Sequence, residues 1–166
     1  MEGMSSRPMM QTAGQSISVS RIRSWLCGGA TVWKREVVNK YKYDEWFKGT
    51  GYLEDVDFSF NVKNEYELYL VSNAKLAHYS RPVKADKYFV LGKWQIFNRM
   101  YIVKKYRHRG LSITKAWVAT LGLIFLNLAI GLTKQDKNAI NKGLGNICGA
   151  YKQIMGKEEQ LIEHLK

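Results

Sequence analysis

One run of 17 uncharged residues, 116–132, constrains this chain more than any other feature. As a helix it would be about 25 Å long, somewhat shorter than the roughly 30 Å hydrocarbon core of a bilayer. Lys115 and Lys134 bracket the run so closely that charge favours neither orientation across a membrane. Three arrangements are therefore open: a short transmembrane helix, a helix lying in the membrane surface, and a helix buried in a protein core.

The formal net charge of +12 is unevenly distributed along the 166 residues. Seven of the 14 acids fall between Asp44 and Glu67, whereas residues 81–115 contain ten Lys or Arg and one acid, Asp86. Such a basic segment indicates a polyanionic partner (nucleic acid, anionic lipid or a nucleotide diphosphate) or else a solvated helix face. Because it leads into the apolar run and no nucleic-acid-binding module is evident, we predict a membrane partner and no nucleic acid.

Composition indicates a globular protein, with 46% apolar and 24% charged residues. The two cysteines, Cys27 and Cys148, are too few for a disulfide framework, and the first residues do not read as a secretory signal. We therefore predict a location on the cytoplasmic side of the cell membrane, either peripheral or single-pass.

The sequence pattern predicts four segments: a flexible leader (1–20), an α/β part (21–85), a helical tail (86–157) and a C-terminal tail (158–166). Predicted strands cover 25–33, 67–71 and 75–79. Predicted helices cover 34–41, 54–63, 87–109 and 136–155, in addition to the apolar run, and 44–51 is predicted to be a loop.

Three carboxylates, Glu54, Asp55 and Asp57, lie within four residues of an aromatic-rich stretch. At the start of a helix, free amides and the helix dipole stabilise such acids, so capping alone would explain them. Chemistry is the alternative, because the cluster follows a glycine loop containing Trp46 and Tyr52, and aromatic rings are suited to stacking on sugars.

Four elements in order resemble the acceptor side of family 2 glycosyltransferases, which are inverting enzymes of the GT-A type. They are Trp25–Val37 with its Gly28-Gly29 turn and basic pair, Tyr43–Phe47 (F-D-E-x-F type), Gly51–Ser59 (G-Y-x-E-D-x-D type) and Ala74–His78 (A-x-hydrophobic-x-H type). The tail resembles bacterial polysaccharide-assembly members less specifically. This resemblance implies an α/β fold: the C-terminal half of a GT-A domain, a small mixed sheet flanked by helices, followed by a helical, hydrophobic tail.

The resemblance also implies roles for the acids. Asp55 would be the general base that takes the proton of an acceptor hydroxyl, and Glu54 and Asp57 would orient the acceptor or support Asp55. The implied reaction transfers a sugar from a nucleotide-sugar donor to a glycan or lipid-linked acceptor, with inversion.

Further roles follow for the binding residues. Trp25, Gly28, Gly29 and Trp46 would bind substrate, and His78 would help hold a divalent cation, Mn²⁺ or Mg²⁺, in the complete enzyme. Taken without the resemblance, the tryptophans are more typical of a core, and His78 of an ordinary strand residue.

Family members also contain a nucleotide-binding half, whereas only 24 residues precede Trp25. We therefore expect a truncated or split enzyme that needs a separate nucleotide-binding half, and little transfer by this chain alone. The alternative function is a non-catalytic membrane-binding module that uses the basic 81–115 segment and the 116–132 helix.

Overall fold

The computed structural model describes residues 21–47, 51–71, 74–79 and 83–157. The chain separates into two compact units. The first, called the N-terminal unit, comprises residues 1–44 and 54–82, and the second, called the helical unit, comprises 45–53 and 83–166. The predicted leader, 1–20, and the predicted C-terminal tail, 158–166, lie outside the described residues.

Two short strands and two helices form the described part of the N-terminal unit. In chain order they are β1 (Arg21–Arg23), α1 (Arg35–Lys40), α2 (Glu54–Val62) and β2 (Leu68–Leu70), with a 3-10 turn at Gly28–Ala30. β1 pairs with β2 in antiparallel register, Arg21 opposite Leu70. A hydrophobic core formed by Val37, Phe58, Val62 and Leu68 joins α1, α2 and β2.

Three long helices form the helical unit: α3 (Lys87–Lys105), α4 (Ile113–Thr133) and α5 (Lys137–Ile154). Gly110, at φ 86°, ends the 3-10 turn Arg107–Arg109 that follows α3, in a left-handed conformation that glycine adopts without strain. Ser112 caps α4 by accepting the Lys115 amide, and Asp136 caps α5 by accepting the amides of Asn138 and Ala139. α5 packs against both α3 and α4.

The predicted α/β fold is wrong, because the described residues are mostly helical. The mixed sheet implied by the GT-A resemblance is replaced, in the described residues, by the single three-residue pairing of β1 with β2. Residues 25–33 turn instead of extending, since both the Ala30 amide and the Thr31 hydroxyl donate to the Cys27 carbonyl. Residues 75–79 are exposed and form no regular element, so a sheet neighbour is missing there.

The helix predictions are confirmed to within a few residues, and β2 lies inside the predicted strand 67–71. The apolar run is the centre of α4, which extends three residues before it and one after it. The predicted helix 87–109 is α3 and the 3-10 turn that follows. The predicted loop contains a short 3-10 turn, Glu45–Phe47.

Candidate functional site

The candidate site is built around the first turn of α2, where the three acids lie. Glu54, Asp55 and Asp57 all occupy this turn, in which the helix amides and dipole favour negative charge. Their surroundings nevertheless differ sharply, since Glu54 is exposed, Asp55 is half-buried and Asp57 is 1% exposed. The three carboxylates are therefore suited to different tasks.

Asp55 links α2 to the glycine turn. Its Oδ2 accepts the Gly28 amide at 3.1 Å, and its Oδ1 accepts the Val56 amide at 2.9 Å. A carboxylate has about four acceptor positions, so two amide bonds leave capacity for a ligand hydroxyl. The half-buried Asp55 is thus held in place and still reachable from solvent.

Of the two predicted glycines, Gly28 lies close to Asp55 and Gly29 lies close to His78. A Cβ added at Gly28 would lie 3.2 Å from the Cβ of Asp55. A Cβ added at Gly29 would lie 4.0 Å from both Cδ2 and Nε2 of His78. The structure therefore brings Gly28, Gly29, Asp55 and His78 together in the N-terminal unit, although 50 positions separate the first from the last.

Glu54 is the exposed acid of the turn, and its proton is held more tightly than in solution. Partial burial, followed by the nearby Asp55 charge, raises the pKa of Glu54 above its ordinary 4.5. The pair therefore contains Glu54, whose ionisation is disfavoured, beside Asp55, whose carboxylate is held in place by two amides.

Tyr43 is a residue of this site that the sequence reasoning missed. Its ring stacks on Phe58 of α2, with centroids 4.3 Å apart. Burial, together with the charges of Glu54 and Asp55, raises the pKa of the Tyr43 hydroxyl, while a hydrogen bond with Trp33 opposes the shift. Tyr43 belongs to the Tyr43–Phe47 element, but that motif did not indicate that the Tyr43 hydroxyl lies near the acids.

Asp57 faces inward. Its Oδ2 accepts from the Asn61 side chain at 3.5 Å, one helical turn along α2. With 1% of its surface exposed it does not reach a substrate, so of the two roles predicted for it only support of Asp55 is compatible with its position.

The two predicted stacking tryptophans lie in different units. Trp25 is 48% exposed in the N-terminal unit, and the amide of its neighbour Leu26 donates to Ser59 of α2 at 3.1 Å. Trp46 belongs to the helical unit, where it stacks on Tyr101 with a centroid separation of 4.4 Å. Trp25 is thus available to a ligand, while Trp46 has a protein ring against one face.

His78 is exposed and offers one imidazole to a cation. The described residues contain no group of three His, Cys, Asp or Glu side chains that could hold a metal ion. A divalent cation would offset charge on a donor diphosphate, but the residues described here do not provide a ligand set for it. The Mn²⁺ or Mg²⁺ site stays a prediction, and no step is derived through it.

No family model matches this chain, and comparison with curated proteins and with solved structures gives no match either. The resemblance to glycosyltransferases therefore rests on the short motifs alone.

Proposed function

We propose that the N-terminal unit activates the acceptor in an inverting glycosyl transfer, with Asp55 as the general base. The observation that carries this proposal is the convergence of Gly28, Gly29, Asp55 and His78. The motif resemblance selected these residues from three separate stretches of chain. A helix cap alone would not require the glycine turn or the histidine to lie beside the acids.

The proposed chemistry is a single displacement. As the acceptor oxygen bonds to the anomeric carbon of a nucleotide-sugar, its proton passes to the Asp55 carboxylate. The bond from that carbon to the nucleotide diphosphate breaks, and the diphosphate leaves with the electron pair. A positioned base of this kind contributes about 10²–10⁴ in rate. The acceptor is a glycan or lipid-linked sugar, for which the exposed Trp25 ring offers a stacking surface.

The test distinguishes the proposed role of Asp55 as a base from its structural role of accepting the Gly28 amide. Asp55→Asn keeps one oxygen for the Gly28 amide, loses the acceptor for the Val56 amide and cannot take a proton, whereas Asp55→Ala loses both acceptors. In an enzyme that includes a nucleotide-binding half, Asp55→Asn should lower kcat by roughly 10²–10⁴ with a smaller loss of stability than in Asp55→Ala. Asp55→Ala should lower both activity and stability.

Glu36→Gln, an exposed acid on α1, is the matched control and should transfer at the normal rate. Normal transfer by Asp55→Asn would remove Asp55 from the role of base and leave it as a cap.

The second candidate function is the membrane-binding module, and a separate observation favours it. α4 is the one helix in the described residues that is long and apolar enough to cross a membrane, and 22% of its apolar window is buried. A helix in the core of a soluble protein would be mostly buried, so this exposure favours the two membrane arrangements.

Flotation with anionic vesicles tests this second function. Binding that survives about 0.5 M salt indicates insertion of apolar surface, and binding lost in salt indicates attraction by the basic segment alone. A chain that stays with the soluble fraction at low salt would contradict the module. The two functions are compatible, since a transferase acting on lipid-linked acceptors works at a membrane.

A further inference from the structure

No large apolar side chain is fully buried on α4 or α5, although Trp117 and Leu123 of α4 pack, partly buried, against the core that contains Ile96 and Met100 of α3. On α4 the buried residues are Ala116, Thr120, Asn127 and Gly131. On α5 they are Gly143, Gly145, Asn146, Gly149 and Gln153. A helix that packs in water buries its largest apolar residues, so both helices show the reverse of the usual arrangement.

The outward faces carry the large apolar side chains instead. The exposed residues include Val118, Leu121, Phe125, Leu126 and Leu132 on α4, and Leu144, Ile147, Tyr151, Ile154 and Met155 on α5. On α5 the positions 144, 147, 151 and 154 form one continuous stripe at helical spacing. The apolar exterior thus extends beyond the apolar run, onto a helix that hydropathy alone does not select.

Polar groups between the helices bond to one another. The Asn127 amide donates to Asn146 Oδ1 at 2.8 Å, and the Asn146 amide donates to the Gly92 carbonyl at 2.8 Å. Arg99 lies 3.4 Å from the Thr120 hydroxyl. Small residues at helix contacts and interhelical amide bonds are the features by which helices associate in lipid, where apolar side chains give no preference for the interior.

The lengths of α4 and α5 and the cations near their ends are also compatible with a bilayer. α4 and α5, joined by only three residues, would be about 31 and 27 Å long. Between residues 87 and 157 there are thirteen Lys or Arg and one acid, Asp136, which caps α5. Lys115, Lys134, Lys137 and Lys157 lie exposed near the ends of the two helices, where they would meet anionic headgroups.

We propose that α4 and α5 together form a helical hairpin whose outward faces contact lipid acyl chains, with α5 embedded as well as α4. This inference rests on the proposed membrane association and names the surface responsible. It also assigns membrane contact to the hairpin instead of the basic 81–115 segment. The cations near the helix ends then bind anionic headgroups.

The test places an environment-sensitive fluorophore on single cysteines in the full chain, with Cys27 and Cys148 replaced by Ser. The sites are Phe125→Cys on α4, Ile147→Cys on α5 and Val32→Cys in the N-terminal unit as control. On addition of phosphatidylcholine–phosphatidylglycerol vesicles, quenchers attached to acyl chains should quench labels 125 and 147 to a similar extent. Iodide in the water should quench label 32 alone.

Other outcomes separate this inference from membrane association in general. Binding with label 125 shielded and label 147 open to iodide would leave the membrane function standing and overturn the hairpin. Failure to bind vesicles would overturn both. Shielding of both labels before vesicles are added, together with a dimer in sedimentation, would assign the surface to a second copy of the chain and overturn the lipid proposal.

A pair of charge substitutions supplies an independent measurement. Ile147→Asp places a charge on the outward stripe of α5 and should weaken vesicle partitioning at least about tenfold. Asn141→Asp adds the same charge at an exposed polar position of the same helix and should change partitioning less than about threefold. Equal effects of the two substitutions would show that only net charge matters and would contradict the hairpin.

Discussion

Asp55 occupies a position in which capping and chemistry are compatible. Its two amide bonds hold the carboxylate against the glycine turn, and the same restraint would fix a base in front of an acceptor. Glu54, one residue earlier, is the group whose protonation is disturbed, because burial and the Asp55 charge raise its pKa. The two neighbouring acids should therefore respond differently to substitution.

Glu54 and Glu65 should show opposite dependences of stability on pH. The raised pKa of Glu54 means that the folded state holds its proton more tightly, so this contribution is present at low pH and is lost as pH rises above 4.5. Glu54→Gln should consequently gain free energy of unfolding, relative to the unsubstituted protein, between about pH 4 and pH 7.

A hydrogen bond from Lys40 lowers the pKa of Glu65, so its contribution is present at neutral pH and is lost on acidification below 4.5. Glu65→Gln should be the less stable protein at pH 7, with the difference shrinking towards pH 3. Urea unfolding followed by circular dichroism at several pH values measures both substitutions. Parallel pH profiles for the two would contradict the assigned environments.

The site was predictable in part. Glu54, Asp55, Gly28, Gly29 and His78 were identified because their motifs occur in a particular order. Tyr43 was missed because its relevance depends on stacking against Phe58, 15 positions away, which no local pattern reveals. Trp46 was placed at the site by motif alone, and its packing on Tyr101 depends on a distant part of the chain.

Glycines set how closely α3 and α5 approach. A Cβ at Gly145 would lie 2.0 Å from the carbonyl oxygen of Phe89, and one at Gly92 would lie 2.1 Å from that of Lys142. Contacts this short cannot be relieved by rotating a side chain, because backbone faces backbone. The two helices would have to separate.

Gly145→Ala should therefore destabilise the helical unit by about 1–3 kcal/mol, the usual cost of overpacking. Gly122→Ala is the matched control, since a Cβ there meets nothing within 4 Å and glycine weakens a helix interior. It should be neutral or stabilise by about 0.5–1 kcal/mol. Thermal unfolding of the two variants in the same detergent, followed by circular dichroism, compares their stabilities. Equal changes in stability would contradict the close approach of α3 and α5.

Asn146 is the polar link among the three helices. Asn146→Ala would leave the Asn127 amide and the Gly92 carbonyl without this partner, at a cost of about 1–3 kcal/mol. Asn141→Ala, on the exposed side of α5, should change the free energy of unfolding by less than about 0.5 kcal/mol. Similar losses for the two would show that Asn146 contributes nothing specific.

Helices were predictable from the sequence and strands largely were not. Each long helix repeats apolar residues over many turns, and local residues such as Ser112, Asp136 and Gly110 mark its ends. A strand needs a partner, and β1 finds its partner 45 or more positions away in β2. Residues 75–79 have a strand-like composition but no such partner, so composition alone misled the prediction.

For the whole molecule, net charge and apolar surface act in opposite directions. The +12 charge repels other copies, while the exposed faces of α4 and α5 attract them. Without lipid, raising salt to about 0.5 M should screen the repulsion and increase self-association in sedimentation velocity. In nanodiscs the same salt should have little effect, and a monomer at both salt concentrations without lipid would contradict the prediction.

Because α4 is synthesised before α5, the hairpin proposed above is incomplete for a short time during translation. α4 ends at Thr133 and α5 at Ile154, so the ribosome needs roughly 1–4 s more to complete the second helix, at about 5–20 residues per second. For the first part of that interval, until residue 146 has been added, the Asn127 side chain has no Asn146 to bond. We expect a nascent chain in this state to bind a chaperone or a membrane before its translation has finished.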